Sequence, residues 1–220
     1  MLNRRRNRSA VVTKIEEQKK RSSRFSVFID GEFVFGVDRD VLLDHPLHEG
    51  DDITPEQVAF YKAEDAFMRA KGKALSLLSY RMRSVKELKE RLTRKQCDAE
   101  SIRRTVDYLL KIGLLDDKVF ADAYVHTRMI QRPAARRVLE RELMMKGVEP
   151  GIAADVLTEY YPWAKEEEIA RDLAVRKWRQ LKADSVKGSR RLADYLLRRG
   201  FSWDIIRPLV QEFESHVTQE

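Results

Sequence analysis

The sequence predicts a mainly α-helical protein, in which three tandem three-helix repeats build an elongated, curved rod behind a small N-terminal β-hairpin or sheet. Three observations carry this. Strand-like patterning is confined to the first 53 residues, where FSVFI and EFVFGV flank Asp30-Gly31. From Thr54 onward Gly and Pro are sparse and apolar residues recur at three- and four-residue spacing. The helical part also matches itself. Leu139, Leu143, Gly147, Ile152 and Val156 precede Leu192, Leu196, Gly200, Ile205 and Leu209 by a constant 53 positions. Leu88 and Leu92 precede Leu139 and Leu143 by 51, and Ile102 and Val106 precede Ile152 and Val156 by 50.

The elements follow in order. Residues 1–10 read as a basic, disordered tail, and residues 1–24 as a whole hold nine basic and two acidic side chains. Residues 11–53 form the small β region. A two-residue Asp-Gly loop favours a type I′ turn, which pairs Ile29 with Glu32, Phe28 with Phe33 and Val27 with Val34. The stretch VVTKIEEQ is a candidate third strand, and apolar residues on both hairpin faces predict packing on each side. Residues 54–71 are a connecting helix. Thr54 is its N-cap, Pro55 its first residue, and Gln57 completes a capping box.

The three repeats span residues 72–112, 113–162 and 163–220. In each, two leucines four apart mark the buried stripe of a middle helix. Gly147 and Gly200 stand where that helix stops in a left-handed residue, and Gln96 holds the same place in the first repeat. Asp98, Glu149 followed by Pro150, and Ser202 are the next N-cap signals. A preceding helix shows as Ala74-Leu77-Leu78, Phe120-Ala123-Tyr124 and Ile169-Leu173-Ala174, and Ser84-x-x-Glu87 is a capping box before the first middle helix.

Several chemistries find little support. The chain has no phosphate-binding glycine loop, paired-cysteine zinc spacing or HExxH motif. Its one cysteine, Cys97, excludes an internal disulfide and reads as a bystander thiol. His45 and His48 flank Pro46 and read as solvated loop side chains. The strongest enzyme candidate is Asp116, Asp117, Asp122 and His126. On a helix starting at Asp116, Phe120, Ala123, Tyr124 and Thr127 share one stripe. Asp117 then points about 140° away from Asp122, so the ligands scatter. Gly113-Leu114-Leu115-Asp116-Asp117 therefore reads as a joint between helices, with carboxylates favoured at a helix start. No catalytic, metal or cofactor site is expected.

Charge is the better lead. The net charge of +7 divides into −1 over residues 1–70 and +8 over 71–220. A basic body attracts polyanions, nucleic acid first. The candidate binding residues are Arg81, Arg83, Lys86 and Lys89 in the first repeat, Arg136, Arg137 and Arg141 in the second, and Arg190, Arg191, Arg198 and Arg199 in the third. Lys86, Arg137 and Arg190 occupy one slot, two before the first leucine of each pair, and would make a stripe along the rod. A solvated helix face is the plainer account of the same residues. No apolar run approaches the roughly 20 residues of a membrane span, and the arginine-rich start lacks the apolar core of a secretory signal, so a cytoplasmic protein is expected.

These strings resemble the RecX family, the bacterial modulators of the recombinase RecA. The resemblance rests on Ala74-x-x-Leu77-Leu78-Ser79-x-Arg81-x-Arg83-Ser84-x-x-Glu87-Leu88-x-x-x-Leu92, on Gly113-Leu114-Leu115-Asp116-Asp117-x-x-Phe120-Ala121, and on Arg136-x-x-x-x-Arg141-x-Leu143-x-x-x-Gly147-Val148. Leu192-x-x-Tyr195-Leu196-x-x-x-Gly200-Phe201-Ser202-Trp203 completes it. It implies a monomeric, non-enzymatic regulator that binds the groove of the RecA filament on DNA. Such proteins typically inhibit strand exchange, ATP hydrolysis and coprotease activity, and some contact single- or double-stranded DNA directly. Gln96-Cys97 departs from the usual glycine-aromatic pair and puts the end of that helix in question. A stand-alone DNA-binding helical protein is the alternative, and a nuclease built on Asp116 and Asp117 a remote third.

Overall fold

A computed structural model describes residues 10–18, 21–161, 163–181 and 185–217. The basic tail expected over residues 1–10 lies, except for Ala10, outside them. The chain forms two compact units, one from Met1–Met82 with Leu88–Leu114 and the other from Arg83–Glu87 with Leu115–Glu220.

The first unit opens with β1 (Ala10–Gln18), β2 (Arg21–Ile29) and β3 (Glu32–Asp38), then α1 (Arg39–Asp44) and the two-residue β4 (Asp52–Ile53). They make an antiparallel sheet ordered β3-β2-β1-β4. Asp30 and Gly31 both have positive φ, 50° and 88°, as a type I′ turn requires. Ile29 pairs with Glu32 and Phe28 with Phe33 as expected, but Val27 pairs with Phe35 rather than Val34. The irregularity between Val27 and Phe28 is a bulge, invisible to turn chemistry. It changes which residues of β3 face inward. Phe35 and Val37 are buried with Val27 and Ile29, whereas Phe33 lies 58% exposed and meets Phe28 edge to face at 5.9 Å. The expected cover on both faces is therefore absent on the Phe33 side among the described residues.

The buried face packs on α2 (Pro55–Tyr80), one helix that continues from the expected connector into the first repeat. Its capping box forms as read: Thr54 N–H donates to Gln57 Oε1 at 2.8 Å and Gln57 N–H to Thr54 Oγ1 at 3.3 Å. Asp65, 3% exposed, fixes sheet to helix by pairing with Arg24 at 2.8 Å and Arg69 at 3.0 Å and accepting the Asp38 N–H at 3.1 Å. A buried carboxylate is tolerated only with such compensation.

Two helices complete the first repeat, α3 (Val85–Arg94) and α4 (Ala99–Lys111). Leu88 and Leu92 of α3 are fully buried. Glu64–Arg104 at 2.8 Å and the Arg104 guanidinium over Phe67 at 4.4 Å tie α2 to α4. Asp98 caps α4, with the Ser101 N–H on its carboxylate at 2.8 Å, and that hydrogen bond holds the carboxyl below its usual range.

The second unit holds α5 (Asp117–Gln131), α6 (Arg136–Met145), α7 (Pro150–Tyr160), α8 (Trp163–Gln180), α9 (Ser185–Arg198) and α10 (Trp203–Val217). One core gathers Phe120, Val125, Leu139, Leu143, Val156 and Tyr161; the other gathers Leu173, Leu192, Leu196, Phe201, Ile206 and Leu209. Every predicted leucine pair is buried. The stripe of α5 is Phe120, Ala121 and Val125 rather than Phe120, Ala123, Tyr124 and Thr127, and Thr127 is exposed. Glu149 stands at the N-cap of α7 without a side-chain cap bond, and Ser202 Oγ is buried without a partner among the described residues.

The helix ends repeat closely. Gly147 and Gly200 take φ of 84° and 90°, and Gln96 takes 58°. At each end the residue after the left-handed one donates back five positions: Cys97 N–H to Leu92 O at 3.1 Å, Val148 to Leu143 at 3.1 Å and Phe201 to Leu196 at 3.2 Å. This is the Schellman pattern. Gln96 therefore preserves the stop that its identity had put in question, at the roughly 1–2 kcal/mol cost of a left-handed residue with a Cβ.

Candidate functional site

The eleven candidate cations separate by what their side chains already hold. Three are committed to the fold. Arg83 is 7% exposed. Arg136 donates to Leu157 O at 3.0 Å, Tyr161 O at 3.2 Å, Ala154 O at 3.3 Å and Thr158 Oγ1 at 3.0 Å, so it caps the last turn of α7. Arg199 donates to Pro133 O at 2.6 Å and lies 5.0 Å from the Tyr195 ring.

Lys86 and Arg137 serve joints between consecutive repeats while staying exposed. At the first joint, Ser84 Oγ donates to Lys146 O at 2.5 Å and Lys86 Nζ to Met145 O at 3.1 Å. Lys146 Nζ returns to Glu87 at 3.0 Å. At the second, Ala135 N–H donates to Arg199 O at 2.9 Å and Arg137 to Phe201 O at 3.4 Å. The start of one middle helix thus meets the end of the next. Lys86 sits on the last carbonyl of α6, at the negative end of its dipole, whereas Arg137 reaches Phe201 O, three residues past the end of α9. That close approach explains the glycines. A Cβ on Gly147 would stand 2.4 Å from Lys86 Cβ, and one on Gly200 would stand 2.3 Å from Val138 Cγ2.

A carboxylate completes each joint. Asp117 Oδ1 accepts the Val85 N–H at 2.8 Å, at the start of α3, and Glu166 Oε1 accepts the Arg136 N–H at 3.2 Å, at the start of α6. Asp116 alone caps its own helix, taking the Lys118 and Val119 N–H groups at 2.7 and 3.1 Å. Asp117 therefore does more than place charge at the start of α5, as its sequence position suggested; it caps a helix 32 residues earlier. Burial pushes the Glu166 carboxyl up from its ordinary value, opposed by the Arg136 N–H and guanidinium. Tyr161, also raised chiefly by burial, donates to Ala134 O at 2.9 Å beside it. In α5, Tyr124 and Arg128 share the Glu142 carboxylate at 2.9 and 3.0 Å, and burial first, then that bond, moves the phenol to about 12. Asp122 is half-buried and His126 exposed. No group of three metal-ligating side chains converges among the described residues.

The remaining candidates are exposed. In the first unit Lys89 is exposed, and Arg81 donates to Met82 O at 2.7 Å. In the second, Arg141 on α6 and Arg190, Arg191 and Arg198 on α9 are exposed and form no ion pair among the described residues. Arg191 and Arg198 are seven apart and share one line of their helix. Sequence could find these arginines but could not distinguish them from Arg136 and Arg199, whose partners lie 18–25 and 66 residues away. No described helix is long and apolar enough to cross a membrane.

Comparison with known proteins covers both the sheet and the helices. The Regulatory protein RecX N-terminal domain model matches residues 10–54. The models of the first, second and third RecX three-helix domains match residues 70–109, 116–157 and 165–210. The chain is 33% identical over 203 residues to the regulatory protein RecX of Bacillus pumilus, covering 91% of this chain and 76% of that one. It is 30% identical over 210 residues to that of Clostridium acetobutylicum, covering 93% and 96%. A crystal structure of regulatory protein RecX aligns with a TM-score of 0.72 at 26% identity, over 91% of this chain and 98% of the other. RecX from Lactobacillus salivarius aligns at 0.60 and 29% identity, over 68% and 97%. The sheet, the three repeats and these matches agree: the chain belongs to the RecX family of regulatory proteins.

Proposed function

We propose that the chain is a cytoplasmic, non-enzymatic regulator that binds in the groove of the RecA–DNA filament and inhibits its recombinase activity. The observation that carries this is the set Arg141, Arg190, Arg191 and Arg198, exposed and without carboxylate partners among the described residues, in a member of a regulatory family. Cations left uncompensated attract the phosphate backbone or an acidic protein groove at long range. Arg81 and Lys89 of the other compact unit are exposed as well, while Lys86 and Arg137 serve the joints. Arg83, Arg136 and Arg199 support the helices that display these cations.

The test is a titration of the chain into RecA filaments assembled on single-stranded DNA, following ATP hydrolysis. The expected result is a saturable fall in hydrolysis whose midpoint rises with salt, because exposed charges are screened within about 8 Å at physiological ionic strength. Binding to naked DNA of equal affinity, with hydrolysis untouched, would favour the stand-alone DNA-binding reading instead.

A further inference from the structure

The two inner joints leave one helix end unaccounted for. Each middle helix ends in a carbonyl that the preceding repeat satisfies: Lys146 O takes Ser84 Oγ, and Arg199 O takes the Ala135 N–H. Lys95 O is the same position in the first repeat, 51 residues before Lys146, and among the described residues a β-sheet rather than a repeat stands before it in the chain. There Lys73 Nζ, from α2 of the same repeat, donates to Lys95 O at 2.9 Å and stands 3.6 Å from Cys97 Sγ. The next residue differs too. The inner ends carry glycine because a Cβ would strike the preceding repeat at 2.3–2.4 Å, whereas the outer end carries Gln96 in the same left-handed conformation.

We propose that Lys73 and Gln96 seal the outer end of the repeat array, Lys73 supplying the hydrogen bond that a preceding repeat supplies elsewhere and Gln96 filling the space that such a repeat would need. A side chain on the left-handed residue and a neighbour seated in the inner-joint manner exclude one another. The carbonyl that would recruit a further helix start is already satisfied. Terminal repeats of tandem arrays need such closure, since an open end exposes unsatisfied backbone and invites stacking. The lysine is thus a positioning residue for the last turn of α3, and the partner it keeps out is another repeat of the same kind, including one from a second copy of the chain.

Hydrogen exchange on the full chain tests this. Lys73→Met is expected to speed exchange of the Lys95, Gln96 and Cys97 amides by about tenfold, the worth of one lost hydrogen bond to an ionised donor. Protection in β1–β3 reports that the fold survives. Lys73→Arg, which also donates, is expected to restore the slow rates. Lys71→Met, whose ammonium lies 4.3 Å from the Tyr108 ring instead, is expected to leave them unchanged. Unchanged rates in Lys73→Met, or equal acceleration in Lys71→Met, would overturn the proposal.

Discussion

The two inner joints are built to one plan with different residues. Ser84 offers a hydroxyl where Ala135 offers its backbone N–H, Asp117 caps where Glu166 caps, and Lys146 reaches back where Arg199 does. What repeats is a geometry: a carbonyl at a helix end meeting a donor at a helix start, with a carboxylate on the first free N–H. Such groups are costly when buried unpaired, so any side chain that satisfies them serves. The difference teaches how to divide the basic residues. A cation at the repeated slot is structural where another repeat follows, at Lys86 and Arg137. At Arg190 the same charge is exposed and forms no ion pair among the described residues.

The largest expected effect comes from closing the gap that a joint depends on. Gly200→Ala combines a left-handed alanine with a Cβ 2.3 Å from Val138, and is expected to cost about 3 kcal/mol in urea denaturation. A cost under ~1 kcal/mol would show that the second joint tolerates separation. Asp117→Ala strips the carboxylate from the start of α3 and is expected to lose about 1–2 kcal/mol, the usual cost of a helix cap. Asp117→Asn, which keeps an acceptor, should recover most of it. Gln96→Gly is expected to gain up to about 1 kcal/mol, relief of the left-handed strain being partly offset by the freer unfolded chain. A loss of stability there would mean that the glutamine side chain is itself a support.

The smallest effect is a slope. Because burial raises the Glu166 carboxyl in the folded chain, folding favours its protonated form. Its contribution is fully present below the ordinary carboxylate value of 4.5 and is lost as pH rises through the raised folded value. Glu166→Gln should flatten the dependence of Tm on pH in that window and leave the first joint's residues untouched. An unaltered profile would place the titration elsewhere.

How far these features were legible in the sequence depends on reach. The type I′ turn, the Thr54 capping box, the three leucine pairs and the left-handed helix ends were legible because each is settled by residues within one or two turns. The bulge opposite Val27 was not, since it answers to burial of Phe35 and Val37 rather than to the turn. Nor were the roles of Asp117 and Arg136. Their partners lie 32 and 18–25 residues away, and local patterning assigns an aspartate or arginine to its own helix. The candidate site was found as a set of basic residues and narrowed only when the bonds across the joints were known.

The division of those cations into structural and free is what the functional reading stands on, and binding of the chain to RecA–DNA filaments tests it most directly. Arg141, Arg190, Arg191 and Arg198 all changed to Glu should weaken binding by at least about tenfold with Tm unchanged, while Lys86→Met with Arg137→Met should lower Tm and leave affinity within about threefold. Equal affinity for the four-fold charge reversal and the wild-type chain would contradict the account.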